Sequence, residues 1–205
     1  MMSLTTSPTL RRKRGVALED AILEAAFAEL TEVGLTAFTV EGVAARARTG
    51  KASIYRRWPC KNDLVLDALC EGLPTPEQCG MPSNIDDEVT TEAALRSVAT
   101  AIAQVMSSPA GDAIRAVKCE AAADPQLARA VDERFQAPRR LALMGLLRRG
   151  VERGEVRPDA VSPLVADVLP AVLFHRLVLQ REPLTERDVA AVVDEVLLPL
   201  IRVSP

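Results

Sequence analysis

Apolar residues recur at the spacing of amphipathic helices in the first part of the chain, and the alternation typical of strands is absent. Acidic residues lie in the first turn of the segment over 17–33, and Gly34 follows it as a helix stop. One face of this segment is apolar, at Ile22, Ala25, Ala26, Leu30 and Val33. The pattern predicts a helix that ends at Gly34.

Two shorter helical segments follow, separated by a three-residue turn. Thr39 is suited to cap the first, VEGVAARA over 40–47, and Glu41 lies near its positive end. RTG at 48–50 forms the turn, and the second short helix runs from there to about Trp58. Two helices joined in this way predict a helix-turn-helix unit, whose first helix braces and whose second enters the major groove. The apolar residues that would brace it are Val40, Val43, Ala44 and Ile54.

Further apolar stripes predict helices through the rest of the chain, so the fold class is all-α. One helix runs from residue 60 to about Gly72, with Leu64, Val65, Ala68 and Leu69 on its apolar face. The Pro- and Gly-rich stretch over 73–86 marks a boundary between domains over 1–72 and 73–205. Beyond the boundary, helices are predicted near 87–107, 111–122, 126–152, 162–180 and 185–203.

Charge is segregated along the chain. Residues 1–70 carry 10 Lys and Arg against 8 Asp and Glu, whereas residues 71–205 carry 15 against 20. Six basic residues and one acid lie within 39–61, although the whole chain has a net charge of -3. A compact basic segment of this kind indicates contact with an anionic partner. The alternative is a solvated helix face.

The second short helix combines small, aromatic and basic residues as a groove-binding helix requires. Tyr55 and Lys61 are suited to phosphate oxygens, which position a DNA-binding unit without reading sequence. Trp58 has two interpretations, contact with DNA or packing against the following helix. The basic run RRKR at 11–14 is either a disordered tail or an arm along DNA, so a flexible basic arm is predicted over 1–14. The small residues that would let the backbone approach the bases are Gly50, Ala52 and Ser53.

Signals for catalysis, metal binding and membrane insertion are absent from the sequence. It has one histidine and lacks a Gly-rich phosphate loop, HExxH and GxSxG, so no enzymatic activity is predicted. Cys60, Cys70, Cys79 and Cys119 are spaced too widely for a zinc site. No metal or cofactor is predicted; reduced thiols are expected, with redox sensing by Cys60 or Cys70 as the alternative. Without an apolar run of about 18 residues or a secretory signal, a soluble cytoplasmic protein is predicted.

The run TGKASIYRRWPCK and the helices around it resemble the TetR family of bacterial repressors. The motif covers roughly residues 15–70, and residues 165–198 resemble the ligand-binding and dimerising region of one large subgroup. Family members usually have Gly where Arg48 stands, because that residue adopts a positive φ, and Gly42 occupies a position that is more often acidic. The residues expected to contact DNA are Arg14, Thr39, Arg48, Thr49, Gly50, Lys51, Ala52, Ser53, Tyr55, Arg56, Trp58 and Lys61.

The resemblance also implies an effector pocket among the helices at 87–107, 111–122, 126–152 and 162–180. Its candidate residues are Met106, Arg115, Phe135, Met144, Phe174 and His175, with Arg115 as a polar anchor. Such a wall favours a lipophilic ligand with one or two polar groups. His175 has a second interpretation, a hydrogen-bonded histidine in the core.

The last predicted helix carries an apolar stripe that requires a partner. The stripe consists of Val189, Val192, Val193, Val196 and Leu200. The resemblance implies that it forms a homodimer across a twofold axis, and the alternative is burial within the chain's own core. Pro170 lies within the helix predicted over 162–180 and predicts either a kink in that helix or its start at this residue.

Together these features predict a sequence-specific DNA-binding transcriptional regulator. By the resemblance, it is a homodimeric repressor that binds a palindromic operator in double-stranded DNA, on the nucleoid, and is released by a small lipophilic effector. The alternative is a helical interaction protein whose basic patch binds an acidic partner other than DNA.

Overall fold

The computed structural model describes residues 15–76, 78–79, 89–177 and 185–203. Regular structure in these ranges is helical, apart from an isolated antiparallel bridge between Val156 and Arg202. The predicted all-α fold class is therefore confirmed. None of the helices in these ranges combines the length and the apolar character that crossing a lipid bilayer requires.

The first four helices form the N-terminal part of the molecule: α1 Val16–Ala37, α2 Val40–Arg46, α3 Lys51–Tyr55 and α4 Lys61–Gly72. The helical backbone of α1 breaks at Gly34, whose φ is 76°. The predicted core face of α1 is buried except at Val33, which is 40% exposed. After the break, Leu35 and Phe38 are buried in the core, whereas Val33, which the pattern predicts to be buried, is not.

The remaining helices are α5 Thr91–Met106, α6 Pro109–Ala121, α7 Pro125–Val131, α8 Ala137–Glu152, α9 Pro163–His175, α10 Glu186–Ala191 and α11 Leu198–Ile201. A π-helical turn over Asp132–Gln136 joins α7 to α8, and another over Val192–Leu197 joins α10 to α11. The helices predicted over 126–152 and 185–203 are thus each interrupted by a wider turn. Pro170 lies inside α9 and does not begin it.

Two apolar cores hold these helices together. The first combines residues of α1 to α4 with residues of α6 and α7, including Ile22, Leu64 and Val117. The second lies among α5, α8, α9 and the α10–α11 segment, and Ile102 packs against both. Burial of each Leu or Ile side chain in these cores stabilises the folded state by about 1.5–3 kcal/mol. The first core therefore fastens the N-terminal helices to the second half of the chain, and the division into domains at residues 72 and 73 stays a prediction.

The valine stripe of the last helical segment differs from the predicted dimer surface. Val189, Val192 and Val193 are buried in the second core of the single chain. Val196 is half-buried, and only Leu200 is exposed. The intrachain alternative accounts for the three buried valines, because α9 and α5 pack against this face and leave it no room for a partner.

The four cysteines form no disulfide. Burial raises the pKa of the Cys70 thiol, which lowers the thiolate fraction that oxidation needs. Within the described ranges, no three His, Cys, Asp or Glu side chains are grouped as a metal site would require.

Candidate DNA-binding surface and internal cavity

Local contacts position α3 against α2. The Thr39 hydroxyl accepts a hydrogen bond from the Gly42 N–H at 3.0 Å and caps α2, as its position predicted. Arg48 has a φ of 53°, so the expectation of a positive φ at this turn is confirmed. A non-glycine residue in this conformation costs about 1 kcal/mol, which the surrounding packing offsets. That packing centres on Val43 and Ile54, both fully buried between the two helices.

Gly42 allows α2 to approach α1 closely. A Cβ atom at this position would lie 2.0 Å from Oε1 of Glu29, a buried carboxylate. Arg46 holds Glu29 through Nε at 2.6 Å and also donates to Glu32 at 2.6 Å. Gly42 therefore replaces the more common acidic residue because a second carboxylate would collide with Glu29 and repel it.

The exposed side of the helix-turn-helix unit is basic and partly aromatic. We call it the reading face and define it as Arg48, Gly50, Lys51, Ala52, Tyr55 and Arg56, all of which are exposed. Thr39 is exposed beside it, Thr49 is half-buried, and Ser53 is buried. The structure thus brings most of the predicted DNA contacts to one surface, and Ser53 faces the protein. Arg14 lies outside the described residues, so the arm over 1–14 stays a prediction.

Trp58 and Lys61 fasten the reading face to the rest of the protein. The Trp58 side chain is buried, and its Nε1–H donates to Oδ2 of Asp67 on α4 at 2.7 Å. This geometry corresponds to the packing interpretation of Trp58. The Lys61 ammonium donates to the Leu35 carbonyl at 2.7 Å. Because an ammonium has three N–H donors, this bond leaves two that could reach a phosphate.

Acidic partners of the basic residues were not predicted from the sequence. Glu41 accepts a hydrogen bond from Lys51 at 2.6 Å, and this bond lowers the pKa of Glu41 and raises that of Lys51. The pair is exposed, so water weakens its attraction and a phosphate can replace Glu41. Arg57 donates to the Ser53 carbonyl and lies 3.7 Å from Glu19 of α1, which directs it away from the reading face.

An internal cavity of about 130 Å³ lies among α5, α6, α8, α9 and the chain that follows α4. Three of the predicted effector-site residues line it: Met106, Phe135 and Phe174. The other three do not. Arg115 pairs with Asp112 at 2.7 Å, and Met144 packs against the second core. His175 is exposed at the end of α9, so it is neither a core histidine nor part of the cavity wall.

Charged residues on the cavity wall were missed by the sequence analysis. They are Lys118, Arg139, Arg140 and Asp167. A signal for Lys118 was available: it follows Ile114 by four residues and therefore lies on the buried face of α6. The other three could not be found in this way, because their exposure to the cavity depends on how α8 meets α9.

Comparison with known proteins decides the family. Residues 22–68 match the family of bacterial regulatory proteins described as the tetR family. Residues 85–196, more than half of the chain, match the tetracyclin repressor-like C-terminal domain. The chain belongs to the TetR family. An uncharacterized HTH-type transcriptional regulator of Mycobacterium bovis, Mb1581, is 34% identical to it over 88% of this chain and 86% of that protein.

Two further relatives agree with this assignment. The DNA-binding transcriptional repressor TetR of Mycobacteroides abscessus is 33% identical over 92% of this chain and 96% of its own length. The crystal structure of the TetR family transcription regulator SCO0332 superposes with a TM-score of 0.74 at 29% identity, covering 92% of this chain and 99% of that one. This TetR-family protein is therefore a DNA-binding transcriptional regulator and not an enzyme.

The Lys51–Glu41 pair of this TetR-family regulator generates a prediction about DNA affinity. Lys51→Ala should weaken binding to duplex DNA and reduce the magnitude of its salt slope by about one, because each phosphate contact releases about one counterion. Glu41→Gln should tighten binding, since it frees Lys51 and removes a negative charge beside the reading face. Fluorescence anisotropy over a salt series measures both. An unchanged slope in Lys51→Ala would mean that Lys51 contacts no phosphate.

Proposed function

We propose that this regulator is a homodimeric repressor that binds a palindromic operator and leaves it when a small lipophilic molecule occupies the internal cavity. The observation that carries the proposal is a path of hydrogen bonds between the end of α3 and the cavity wall. Its members are Trp58, Asp67 and Arg134. We expect a displacement of Arg134 at the cavity wall to shift Trp58 through Asp67. Ligand-controlled DNA binding requires a coupling of this kind between the two sites.

The path has two links through one carboxylate. Asp67 on α4 accepts the Trp58 indole N–H through Oδ2 and the Arg134 guanidinium through Oδ1. Arg134 also donates to Oδ1 of Asp63 at 3.0 Å and to its carbonyl at 3.3 Å. Asp63 and Asp67 therefore connect α4 to the turn that carries Arg134. The same helix supports the reading face, because Asp67 binds Trp58.

That turn forms part of the cavity wall. Arg134 belongs to the π-helical turn Asp132–Gln136, and its neighbours Phe135 and Gln136 line the cavity. An occupant that displaces Phe135 would move Arg134 and, through Asp67, α4. Single π-helical turns within α-helices are rare and are frequent at functional sites. A turn of this kind is suited to switch between two positions.

The repressor role rests on a relative. The Mycobacteroides abscessus protein named as a DNA-binding transcriptional repressor is 33% identical over almost the whole of both chains. Such similarity over the full length supports repression as the direction of control in this protein.

An exposed apolar stripe supports the homodimer. Leu164 of α9 is 78% exposed, and Val168, Ala171 and His175 continue its side of the helix at intervals of four, three and four residues. Ala171 and His175 are exposed, whereas Val168 is half-buried against the second core, so Leu164 is the main apolar side chain of the stripe. The segment carrying Leu200, which is 37% exposed, packs beside α9 through Val192–Leu197. We call this stripe together with Leu200 the dimer surface. A second copy related by a twofold axis would cover the same surface on both chains.

Operator recognition predicts the outcome of a selection from random duplex DNA. The wild-type protein should enrich an inverted repeat and bind it about a thousandfold or more tighter than unrelated DNA of equal length. Placed in a promoter, the enriched site should lower reporter expression when the protein is present. Failure to enrich any sequence, together with binding to an acidic protein, would support the interaction-protein alternative. Enhanced expression would make the protein an activator.

The path through Arg134 predicts coupling that a cavity-filling substitution can reveal. Ala101 lines the cavity, so Ala101→Phe places a permanent occupant there. Operator affinity should fall about tenfold in this variant, within the usual range of allosteric coupling. Adding Arg134→Met should reduce that loss, because the link to Asp67 is then broken. Arg129→Met, on the exposed side of α7, is the matched control and should leave the loss unchanged. Equal losses with and without Arg134 would exclude the path.

The dimer surface predicts opposite results for two substitutions. Leu164→Asp should produce monomers that keep the helical circular dichroism of the wild type and bind the operator weakly, because Leu164 is exposed in the single chain. Val193→Asp should instead lower the free energy of unfolding by about 4 kcal/mol or more, since Val193 is fully buried. Light scattering after gel filtration and thermal denaturation measure the two effects. A stable dimer of Leu164→Asp would place the interface elsewhere.

A further inference from the structure

The cavity wall carries more positively charged side chains than negatively charged ones. Three cations and one carboxylate line the cavity: Lys118, Arg139, Arg140 and Asp167. Arg140 is neutralised, since its Nε donates to both oxygens of Asp167 at 2.8 and 3.0 Å and its Nη2 donates to Asp132 at 3.0 Å. Asp167, the one carboxylate among the described residues of the wall, is thus engaged by Arg140. Lys118 and Arg139 are left with positive charge directed toward the cavity region.

Lys118 is a half-buried ammonium without a carboxylate partner in the described part of the chain. Its Nζ lies 4.5 Å from the centre of the Phe174 ring and 3.4 Å from Oε1 of Gln136. Burial lowers its pKa, and the more distant Asp167 opposes that shift only in part. Removing an ammonium from water costs several kcal/mol when no counterion accompanies it. An anion in the cavity would recover part of that free energy.

Arg139 lies one helical turn beyond Gln136, on the same side of α8. Its guanidinium is 4.0 Å from the centre of the Phe135 ring and donates to the Phe135 carbonyl at 3.0 Å. Burial lowers its pKa, and its other polar neighbours include the thiols of Cys70 and Cys79. Within the described residues it forms no ion pair. Arg139 is therefore a second cation on the cavity wall, in an environment that does not neutralise it.

We propose that the effector is a lipophilic anion, an organic acid whose carboxylate or sulfonate is held by Lys118, while Arg139 adds positive charge to the same wall. This inference rests on the proposed function of the cavity as the effector site. The rest of the cavity wall is largely aliphatic and aromatic, so it suits the apolar body of such an acid. Residues that would contact the apolar body are Val98, Ile102, Val105, Met106 and Phe174.

The same geometry disfavours two other classes of ligand. A cationic ligand would bring a third unpaired positive charge into a space where Coulomb repulsion is weakly screened. A neutral ligand of equal size would leave the Lys118 ammonium as poorly compensated as before. Arg115, the anchor expected from the sequence, is paired with Asp112 away from the cavity and makes no contribution to this preference.

A matched pair of fluorescent probes tests the proposal. 8-Anilinonaphthalene-1-sulfonate and N-phenyl-1-naphthylamine share one apolar body, and only the first carries a negative charge. The wild-type protein should bind the sulfonate about tenfold tighter or more, as expected for a charge-assisted contact. Lys118→Met should abolish this preference while keeping the length of the side chain. Lys118→Arg should retain most of it, and circular dichroism confirms that both variants are folded.

Arg115→Met is the matched control, because it removes a cation from the same helix outside the cavity; it should behave as wild type. Equal or tighter binding of the neutral probe, binding of neither probe, or a preference that survives in Lys118→Met would overturn the proposal. Release of operator DNA is measured separately. A Lys118-dependent preference without release would leave the anion site intact and refute effector control. Release by neutral compounds alone would support effector control and refute the anionic class.

Discussion

The carboxylate of Asp67 receives hydrogen bonds from both halves of the molecule, and the position of the reading face depends on it. One oxygen accepts the Trp58 indole N–H, and the other accepts the Arg134 guanidinium. A buried indole N–H needs such a partner, because an unsatisfied polar group costs about 1–3 kcal/mol. Helix α3 has only five residues, so its orientation comes from this bond and from the packing of Ile54 and Trp58. The DNA-binding unit is thus oriented by α4 and, through Arg134, by the turn between α7 and α8.

The basic residues of the first part of the chain divide into two roles according to their partners. Arg46 and Arg57 are paired with carboxylates of α1 and hold the helices together. Lys51 is paired with Glu41 only on the surface, where water weakens the attraction and a phosphate can compete. A mildly acidic protein can bind DNA under these conditions because its positive charge is concentrated on one small surface and most of its acids, other than Glu41, lie elsewhere.

Some features of the DNA-binding unit could be predicted from the sequence because they depend on neighbouring residues. The cap at Thr39 and the positive φ at Arg48 are properties of single turns, and both occur as expected. The break in α1 at Gly34 is similar, although Val33 beside it is exposed against expectation. A period of 3.6 residues shows that a helix has an apolar face. It does not show whether that face meets the same chain, another chain or water.

The sequence by itself determined the all-α class, the order of the helices, the helix-turn-helix unit and the absence of catalytic motifs. Only the tertiary structure decided that Val193 is buried in its own chain whereas Leu164 is exposed, since both are apolar residues on amphipathic helices. It also decided that Lys118 faces the cavity and His175 faces solvent. The pairs that form the proposed path between the reading face and the cavity, Trp58 with Asp67 and Arg134 with Asp67, join different segments of the chain. Such contacts are set by how helices pack, and packing depends on all the side chains at an interface together.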